Sequence, residues 1–316
     1  MTLAPIIVFA YDRPEHLRRT IEALVKNDLA DQSDLFIYCD GPKLPTAECF
    51  RGEATGRYNE YLSRIGENRK IAHTVHGFKS VSVIEREKNI GLKANIVGAV
   101  TEIVNKYGRI ITLEDDIVTS PGFLRYMNEA LEMYKEDERV MHISGYMWPH
   151  RWPLPETFFF QAPCPWGWAT WARAWSYYND DTAEIYRYWE TRWEEFNSFG
   201  GNYLQQQLED NYKGILNTWY VKWHAVMRQR GALALYPGQS LVNNRGFGDD
   251  ATNCCSTDKF DVKLLDRVKV KRRPIKESRL AAREIYAFYQ GRWYNKRRRK
   301  ALLHKICSYV IFWKYE

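Results

Sequence analysis

The sequence predicts an α/β protein in which a mostly parallel central sheet is flanked by helices and followed by a helical, basic C-terminal extension. Short apolar, β-branched segments alternate with segments of helical periodicity in the first half of the chain, and such alternation favours a parallel sheet. Residues 261–316 contain 17 Lys and Arg against 5 Asp and Glu, a net charge of +12. The chain therefore divides into a body, residues 1–260, and a basic extension, residues 261–316.

The elements of the first half follow one another in a regular order. A strand is predicted over 5–11 and a helix over 13–27. The next elements are strands and helices in alternation, over 34–40, 56–66, 80–87, 91–108 and 109–116. Ser120 and Pro121 then predict the start of another helix, as its N-cap and its first-turn proline. Right-handed crossovers between parallel strands would place these helices on the faces of the sheet.

Three consecutive carboxylates, Glu114, Asp115 and Asp116, follow the apolar run 110–113 and are called the acidic tip below. Ligands bind just outside the carboxyl ends of strands in open α/β sheets. Three like charges there repel one another unless a cation compensates them. Mg²⁺ or Mn²⁺, held by one or two carboxylates and a substrate diphosphate, would compensate these charges. A solvent-exposed acidic loop is the alternative interpretation.

The composition excludes several classes of protein. A chain of 316 residues with 45% apolar and 15% aromatic residues is suited to a globular core and is not disordered. Its six cysteines lack the spacing of a disulfide framework or of a zinc site. No run approaches the ~20 apolar residues of a membrane span, and the first residues lack the pattern of a signal peptide. We therefore expect reduced cysteines and a cytoplasmic protein.

Six of the twelve tryptophans lie within residues 148–175. Such a stretch is typical of a core or of a segment that packs on it. Pro163, Pro165 and Gly167 punctuate the stretch and favour an irregular loop close to a binding site.

Polar residues follow four strands in chain order, in the segments "FAYDRP", "YCDGP", "REKNIGLKAN" and "LEDD". This series resembles the GT-A nucleotide-sugar-dependent glycosyltransferases, in particular the inverting enzymes around N-acetylglucosaminyltransferase I and bacterial enzymes that build surface polysaccharides. The resemblance covers residues 4–255. It implies a GT-A fold for the body, with a nucleotide-sugar bound at the strand ends.

The resemblance also implies roles for the first three polar segments. Arg13 would meet the ribose or the phosphates, since its planar fork suits phosphate oxygens. Asp40 would accept from the base, as in uridine recognition, and Asn89 and Lys93 would complete the nucleotide-sugar site. Each residue also has a simpler interpretation. Arg13 would be a residue at a helix start, and Asp40 a turn-forming aspartate. Asn89 would belong to a turn, and Lys93 would be a solvated helix charge.

At the acidic tip, the resemblance implies that Asp116 binds the metal ion, that Asp115 lies beside the ribose, and that Glu114 faces the transferred sugar. The cation would act on the leaving nucleoside diphosphate, where negative charge develops. In "CPWGWATW", Trp166 and Trp168 would form apolar walls of the donor-sugar pocket.

An inverting transferase needs a carboxylate that takes the proton from the acceptor hydroxyl. The resembling enzymes carry an acidic pair where this chain has Glu209 and Asp210; Asp210 is the predicted base and Glu209 the alternative. The segment that begins near residue 236 resembles the loop that closes over the nucleotide, and Arg245 would reach the diphosphate. Bacterial relatives have a histidine near the end of this loop, where this chain has Asn253.

The predicted function is therefore transfer of a sugar from a nucleotide-sugar, UDP-linked, to a hydroxyl of a glycan or lipid-linked glycan acceptor. A sugar nucleotidyltransferase would use the same sheet and a carboxylate-bound metal, but its glycine-rich signature is missing from "FAYDRPEHLRRT". A non-catalytic carbohydrate-binding protein would explain the tryptophans but not the ordered strand-end polar residues. Nothing in the chain has the signature of a nucleic-acid-binding module.

The basic extension mixes Lys and Arg clusters with large apolar residues near its end, in "ICSYVIFW". Basic residues attract anionic headgroups, and apolar residues anchor a helix in the interface. We expect peripheral binding to an anionic membrane surface. The alternative is that this helix packs on the body.

Overall fold

The computed structural model describes residues 2–46, 49, 53–197, 201–247 and 257–291. Its ten strands in these ranges are Ile6–Ala10 (β1), Asp34–Cys39 (β2), Ser80–Glu85 (β3), Arg109–Glu114 (β4), Ile117–Thr119 (β5), Val140–Ser144 (β6), Thr157–Phe160 (β7), Trp168–Trp171 (β8), Leu233–Pro237 (β9) and Val242–Asn244 (β10). The α-helices in the same ranges are Pro14–Val25 (α1), Glu53–Thr74 (α2), Leu92–Tyr107 (α3), Phe123–Met133 (α4), Ala172–Trp175 (α5), Thr182–Trp189 (α6), Trp193–Phe196 (α7), Tyr203–Tyr212 (α8), Tyr220–Gln229 (α9) and Arg279–Tyr289 (α10).

The central sheet has eight strands in the order β3-β2-β1-β4-β8-β6-β9-β7. The four strands of the first half are parallel to one another. In the second half, β8 is antiparallel to both of its neighbours, β9 is parallel to β6, and β7 is antiparallel to β9. The structure therefore confirms the predicted α/β class, with a mostly parallel sheet flanked by helices, an arrangement consistent with a GT-A-like fold.

The strand order brings the ends of β1, β2 and β4 together. β1 lies between the other two, with Phe9 opposite Glu114 and Ala10 opposite Cys39. A second sheet, in which β10 pairs antiparallel with β5, follows directly on the carboxyl end of β4. The polar residues that follow these strands consequently lie at one edge of the sheet.

Local signals in the sequence determine several helix ends. Pro14 occupies the first turn of α1, where its missing N–H is not needed. Gly108 ends α3 with φ +78°, a left-handed conformation that glycine adopts without strain. The start of α4 differs from the prediction: Gly122 takes the cap position, and Ser120 gives no side-chain cap. Instead, the Ser120 N–H donates to the Leu241 carbonyl, because the chain first forms β5 against β10.

The helices form two layers around the sheet and one separate group. α3 packs on β4, and α4 packs on β6 and β8. Helices α6 to α9 pack on one another beyond β8. The core of this group includes the fully buried rings of Trp189, Phe196 and Trp223. Within the described ranges, no helix combines the length and the apolar character needed to cross a bilayer.

The described part of the basic extension packs on the body. Ser278 caps the start of helix α10, and its side chain accepts from the Ala281 N–H. It buries Ile285 and Phe288, and its Glu284 carboxylate accepts from the Arg151 backbone N–H at 2.8 Å. Residues 292–316, with the apolar end on which the membrane prediction depends, lie outside the described residues.

Candidate functional site

A cavity of about 1000 Å³ opens at the carboxyl ends of β1, β2 and β4. Its wall includes residues from the first half of the chain, from the tryptophan-rich stretch and from the basic extension. It is large enough for a ligand of the size of a nucleotide-sugar. Seven of the twelve predicted site residues line it, namely Arg13, Asp40, Asn89, Glu114, Asp115, Asp116 and Trp166.

The acidic tip is held by the elements on both sides of it. The Asp116 Oδ2 accepts from Arg13 Nη1 at 3.2 Å, and the Asp115 Oδ2 lies 3.4 Å from the Tyr11 backbone N–H. The backbone carbonyl of Asp115 accepts from the Thr20 hydroxyl at 2.7 Å. Helix α1 and the end of β1 thus orient the carboxylates toward the cavity, and the Arg13 guanidinium is in contact with one of them.

The three carboxylates are poorly compensated. Burial raises the pKa of Glu114 and of Asp115 to about 8 each, and repulsion from the neighbouring carboxylates acts in the same direction. Burial also raises the pKa of Asp116, against the opposing effect of the Arg13 guanidinium. Arg13 contacts Asp116, so ionisation of all three carboxylates would leave the tip with an excess of negative charge. Such a site favours a further cation.

The residues present fit a hard divalent cation. The described residues contain no group of three or more His, Cys, Asp or Glu side chains arranged to hold a metal ion. A cation would therefore take one or two carboxylate oxygens from the tip and its other ligands from a bound diphosphate and water. The Asp116 carboxylate sits against Gly246, where an added Cβ would lie 2.1 Å from Oδ2. An oxygen-only donor set of this kind suits Mg²⁺ or Mn²⁺.

Asp40 joins the end of β2 to the turn that follows β3. Its Oδ1 accepts from the backbone N–H groups of Gly41 at 2.9 Å and Ile90 at 3.0 Å, and its Oδ2 accepts from Asn89 Nδ2 at 3.0 Å. Both Asp40 and Asn89 line the cavity. Asp40 is therefore a turn-forming residue, as the simpler interpretation held, and it also lines the cavity.

The two predicted tryptophan walls have different environments. Trp166 lines the cavity, with edge contacts to Tyr146 at 4.6 Å and Phe260 at 5.2 Å between ring centroids. Trp168 differs from the expectation: it is 1% exposed and stacks between His142 and Trp219. The reason is that Trp168 begins β8, an interior strand covered on both faces, whereas Trp166 precedes the turn at Gly167.

Lys93 and Arg245 also differ from the expectation. Lys93 Nζ lies 2.7 Å from the Asp180 carboxylate and does not line the cavity. Its position on α3 is rotated by about 100° from that of Leu92, which does line it. Arg245 is half exposed, lies 3.5 Å from Asp261, and lines a separate cleft of about 550 Å³. The Arg245 backbone, and not its side chain, contacts the acidic tip: the Arg245 N–H donates to the Asp116 carbonyl.

Neither Glu209 nor Asp210 lines the cavity. Their carboxylates accept from Gln205 and Gln206 of the same helix, at 2.9 Å each. Tyr203, at the start of α8, does line the cavity. Asp210 lies seven residues further on the same face of α8, about 10 Å along the axis. The structure therefore places the predicted base beyond the cavity wall.

Several lining residues were not among the predicted site residues, and of these Trp148 lies in the tryptophan-rich stretch that the sequence associates with a binding site. Trp148, Tyr220, Lys259 and Tyr289 come from four separate segments. They are brought together by packing of α9 and α10 against the tryptophan-rich stretch. The Trp148 and Tyr289 rings, for example, lie 5.8 Å apart. No local pattern in the sequence predicts such a wall, because its members share no strand or helix.

No family model and no curated protein matches the chain. Among solved structures, S. aureus TarS matches with a TM-score of 0.29 and 12% identity, over 49% of this chain and 23% of that chain. S. aureus TarS 1–349 in complex with UDP matches with a TM-score of 0.29 and 13% identity, over 49% of this chain and 39% of that chain. The aligned part thus spans less than half of this chain and of each TarS chain.

Proposed function

We propose that this protein is a glycosyltransferase that moves a sugar from a nucleotide-sugar, UDP-linked, to a hydroxyl of a glycan acceptor. One observation carries the proposal: a single large cavity at the carboxyl ends of parallel strands combines an under-compensated acidic tip with an arginine and an aromatic wall. The acidic tip suits a cation and a diphosphate, and the aromatic wall suits the apolar faces of sugar rings. The order of strand-end polar residues, which resembles GT-A enzymes, points the same way.

The donor would lie across the ends of β1, β2 and β4. Asp40 and Asn89 would bind the base through the hydrogen-bonding positions that their mutual hydrogen bond leaves unused. Arg13, already in contact with Asp116, would donate to a phosphate oxygen. Glu114 and Trp166 would face the transferred sugar, and the aromatic wall would exclude water from the bond that breaks.

A divalent cation, held by Asp116 and one further oxygen of the tip, would act as a Lewis acid on the diphosphate leaving group. The tip itself would orient that group. The acceptor would enter through the open side of the cavity, near Tyr203. A carboxylate base would take the proton from its hydroxyl, which gives inversion at the anomeric carbon. Asp210 remains the predicted base and Glu209 the alternative, and either would need to approach the cavity when substrates bind.

The test is turnover of a panel of nucleotide-sugars by the purified protein, with Mn²⁺, with Mg²⁺ and after exhaustive chelation. A glycosyltransferase releases nucleoside diphosphate and, with an acceptor present, transfers the sugar. A nucleotidyltransferase would instead release pyrophosphate from a nucleoside triphosphate and a sugar phosphate. A carbohydrate-binding protein would do neither. Asp116→Asn, which removes one charge without changing the shape of the side chain, is the control for contaminating activity.

We also propose that the acceptor is met at an anionic membrane surface, because residues 292–316 combine basic clusters with large apolar residues. Each Lys or Arg near such a surface contributes on the order of 1 kcal/mol, screened by salt. Co-sedimentation with anionic liposomes should weaken as salt rises. Deletion of residues 292–316 should abolish it and leave donor hydrolysis intact. Equal binding to neutral and anionic vesicles would contradict this proposal.

A further inference from the structure

Lys259 lines the cavity on the wall next to the acidic tip. Its neighbour Phe260 stacks on Phe247, with 4.8 Å between ring centroids. Phe247 directly follows Gly246, which lies against the Asp116 carboxylate. A short path of contacts therefore connects Lys259 to the place proposed for the cation and the diphosphate.

Within the described part of the chain, aromatic rings surround the Lys259 ammonium group. Its Nζ lies 5.5 Å from the ring centroid of Phe260, 5.0 Å from that of Phe288 and 5.9 Å from that of Tyr289. Among the ion pairs of the described residues, none involves Lys259. Burial lowers the pKa of this amine.

The other cations of the cavity wall have different environments. Arg13 is bound to Asp116, and Lys43 is exposed. Lys259 is therefore the half-buried cation on the described cavity wall whose charge no carboxylate of the described residues balances. Aromatic faces at 5 to 6 Å offset only part of the loss of hydration. An anionic group in the cavity would complete the compensation through a charge-assisted hydrogen bond.

We propose that Lys259 binds an anionic group of the nucleotide-sugar, either its diphosphate or a carboxylate on its sugar. This inference rests on the proposed function and names a binding residue of that site. The two sources share one chemistry, a negatively charged oxygen within reach of Nζ. The rings beside Lys259 provide an apolar surface for the sugar in either case.

The experiment measures dissociation constants of UDP, uridine, UDP-glucose and UDP-glucuronate by calorimetry for the wild type, Lys259→Met and Lys263→Met. Methionine keeps an unbranched chain against the rings and removes the charge. Lys263 is exposed and lies outside the cavity wall, so Lys263→Met removes the same charge from the same segment. Lys259→Gln replaces Lys259→Met if the latter does not fold.

If the diphosphate is the partner, Lys259→Met weakens UDP and both UDP-sugars by about tenfold or more and leaves uridine unchanged. If a sugar carboxylate is the partner, it weakens UDP-glucuronate alone by a similar factor. Lys263→Met should bind all four ligands as the wild type does. Wild-type affinities in Lys259→Met for all four would overturn this inference alone. A wild-type protein that binds none of them would overturn the proposed function together with it.

Discussion

Two clusters of partly buried charge differ in how their charged groups are paired. At the acidic tip, Arg13 Nη1 contacts the Asp116 carboxylate at 3.2 Å, and none of the ion pairs of the described residues involves Glu114 or Asp115. In the second cluster, the Asp180 carboxylate lies 2.7 Å from both Lys93 Nζ and Lys222 Nζ. Lys222 is 2% exposed, yet its charge has a close partner.

The difference distinguishes a structural role from a ligand-binding one. The Lys93–Asp180–Lys222 cluster joins α3, α9 and the segment before α6. Each of its charged groups pairs with another group of the cluster. The acidic tip faces a cavity and keeps an excess of negative charge that only a ligand or a proton can balance. A buried charge without an ion-pair partner among the described residues therefore marks the candidate site, and a paired one marks a junction between elements.

The largest effect is expected at the acidic tip. Asp116→Asn should lower turnover by about 10² or more, because a Lewis-acid cation supplies several kcal/mol of transition-state stabilisation. It should also weaken UDP binding in the presence of Mn²⁺ and leave binding after chelation nearly unchanged. Steady-state kinetics and calorimetry with and without Mn²⁺ check this. Full turnover of the wild type after exhaustive chelation would remove the metal from the proposal.

The next effect concerns Asp210, which lies in neither cluster. If it is the base, Asp210→Asn should lower turnover by about 10² and leave UDP affinity unchanged. Glu209→Gln is the matched variant at the adjacent position. A loss in Glu209→Gln alone would assign the base to Glu209. Wild-type turnover in both variants would mean that the base is one of the cavity carboxylates, and Glu114→Gln should then show the loss.

Substitutions in the Lys93–Asp180–Lys222 cluster should affect stability and not turnover. Asp180→Ala leaves the buried Lys222 ammonium without its carboxylate and should lower the free energy of unfolding by about 2–3 kcal/mol, less than for a fully buried pair because Asp180 is half exposed. Urea unfolding measures this. Adding Lys222→Met should recover most of the loss. If Asp180→Ala instead abolished donor turnover in a protein of unchanged stability, the contrast between the clusters would fail.

The smallest effect is the pH dependence of the metal-free protein. The pKa values of Glu114 and Asp115, raised to about 8, exceed those of the unfolded chain. Their contribution to stability is therefore fully present below about pH 4 and is lost as the pH rises through 8. In the presence of chelator, the unfolding free energy should fall as the pH rises from 5.5 to 8.5, because the native protein binds more protons than the unfolded chain in this range. Glu114→Gln should flatten this dependence, and Mn²⁺ should reverse it.

The sequence by itself determined the α/β class, the strands of the first half, and the acidic tip with Arg13, Asp40 and Asn89. These features depend on short-range patterns: alternation of apolar runs, a proline or glycine at a helix end, and the position of a polar residue directly after a strand. Parallel strands then bring such residues to one edge of the sheet. Trp166 was predicted in a different way, from the resemblance of "CPWGWATW" and from the loop signals of Pro163, Pro165 and Gly167.

Only the tertiary structure decided which side chains face the cavity. Lys93 lies in the same polar segment as Asn89, but the direction of its side chain depends on where Asp180 lies, 87 residues further along the chain. Trp168 is two residues from Trp166, yet its strand is inserted between β4 and β6. Tyr289 reaches the wall through packing of the basic extension on the body, and Lys259 lies beside the Phe288 and Tyr289 rings of that extension. Side-chain direction in such places follows from contacts between distant segments, which no local pattern in the sequence records.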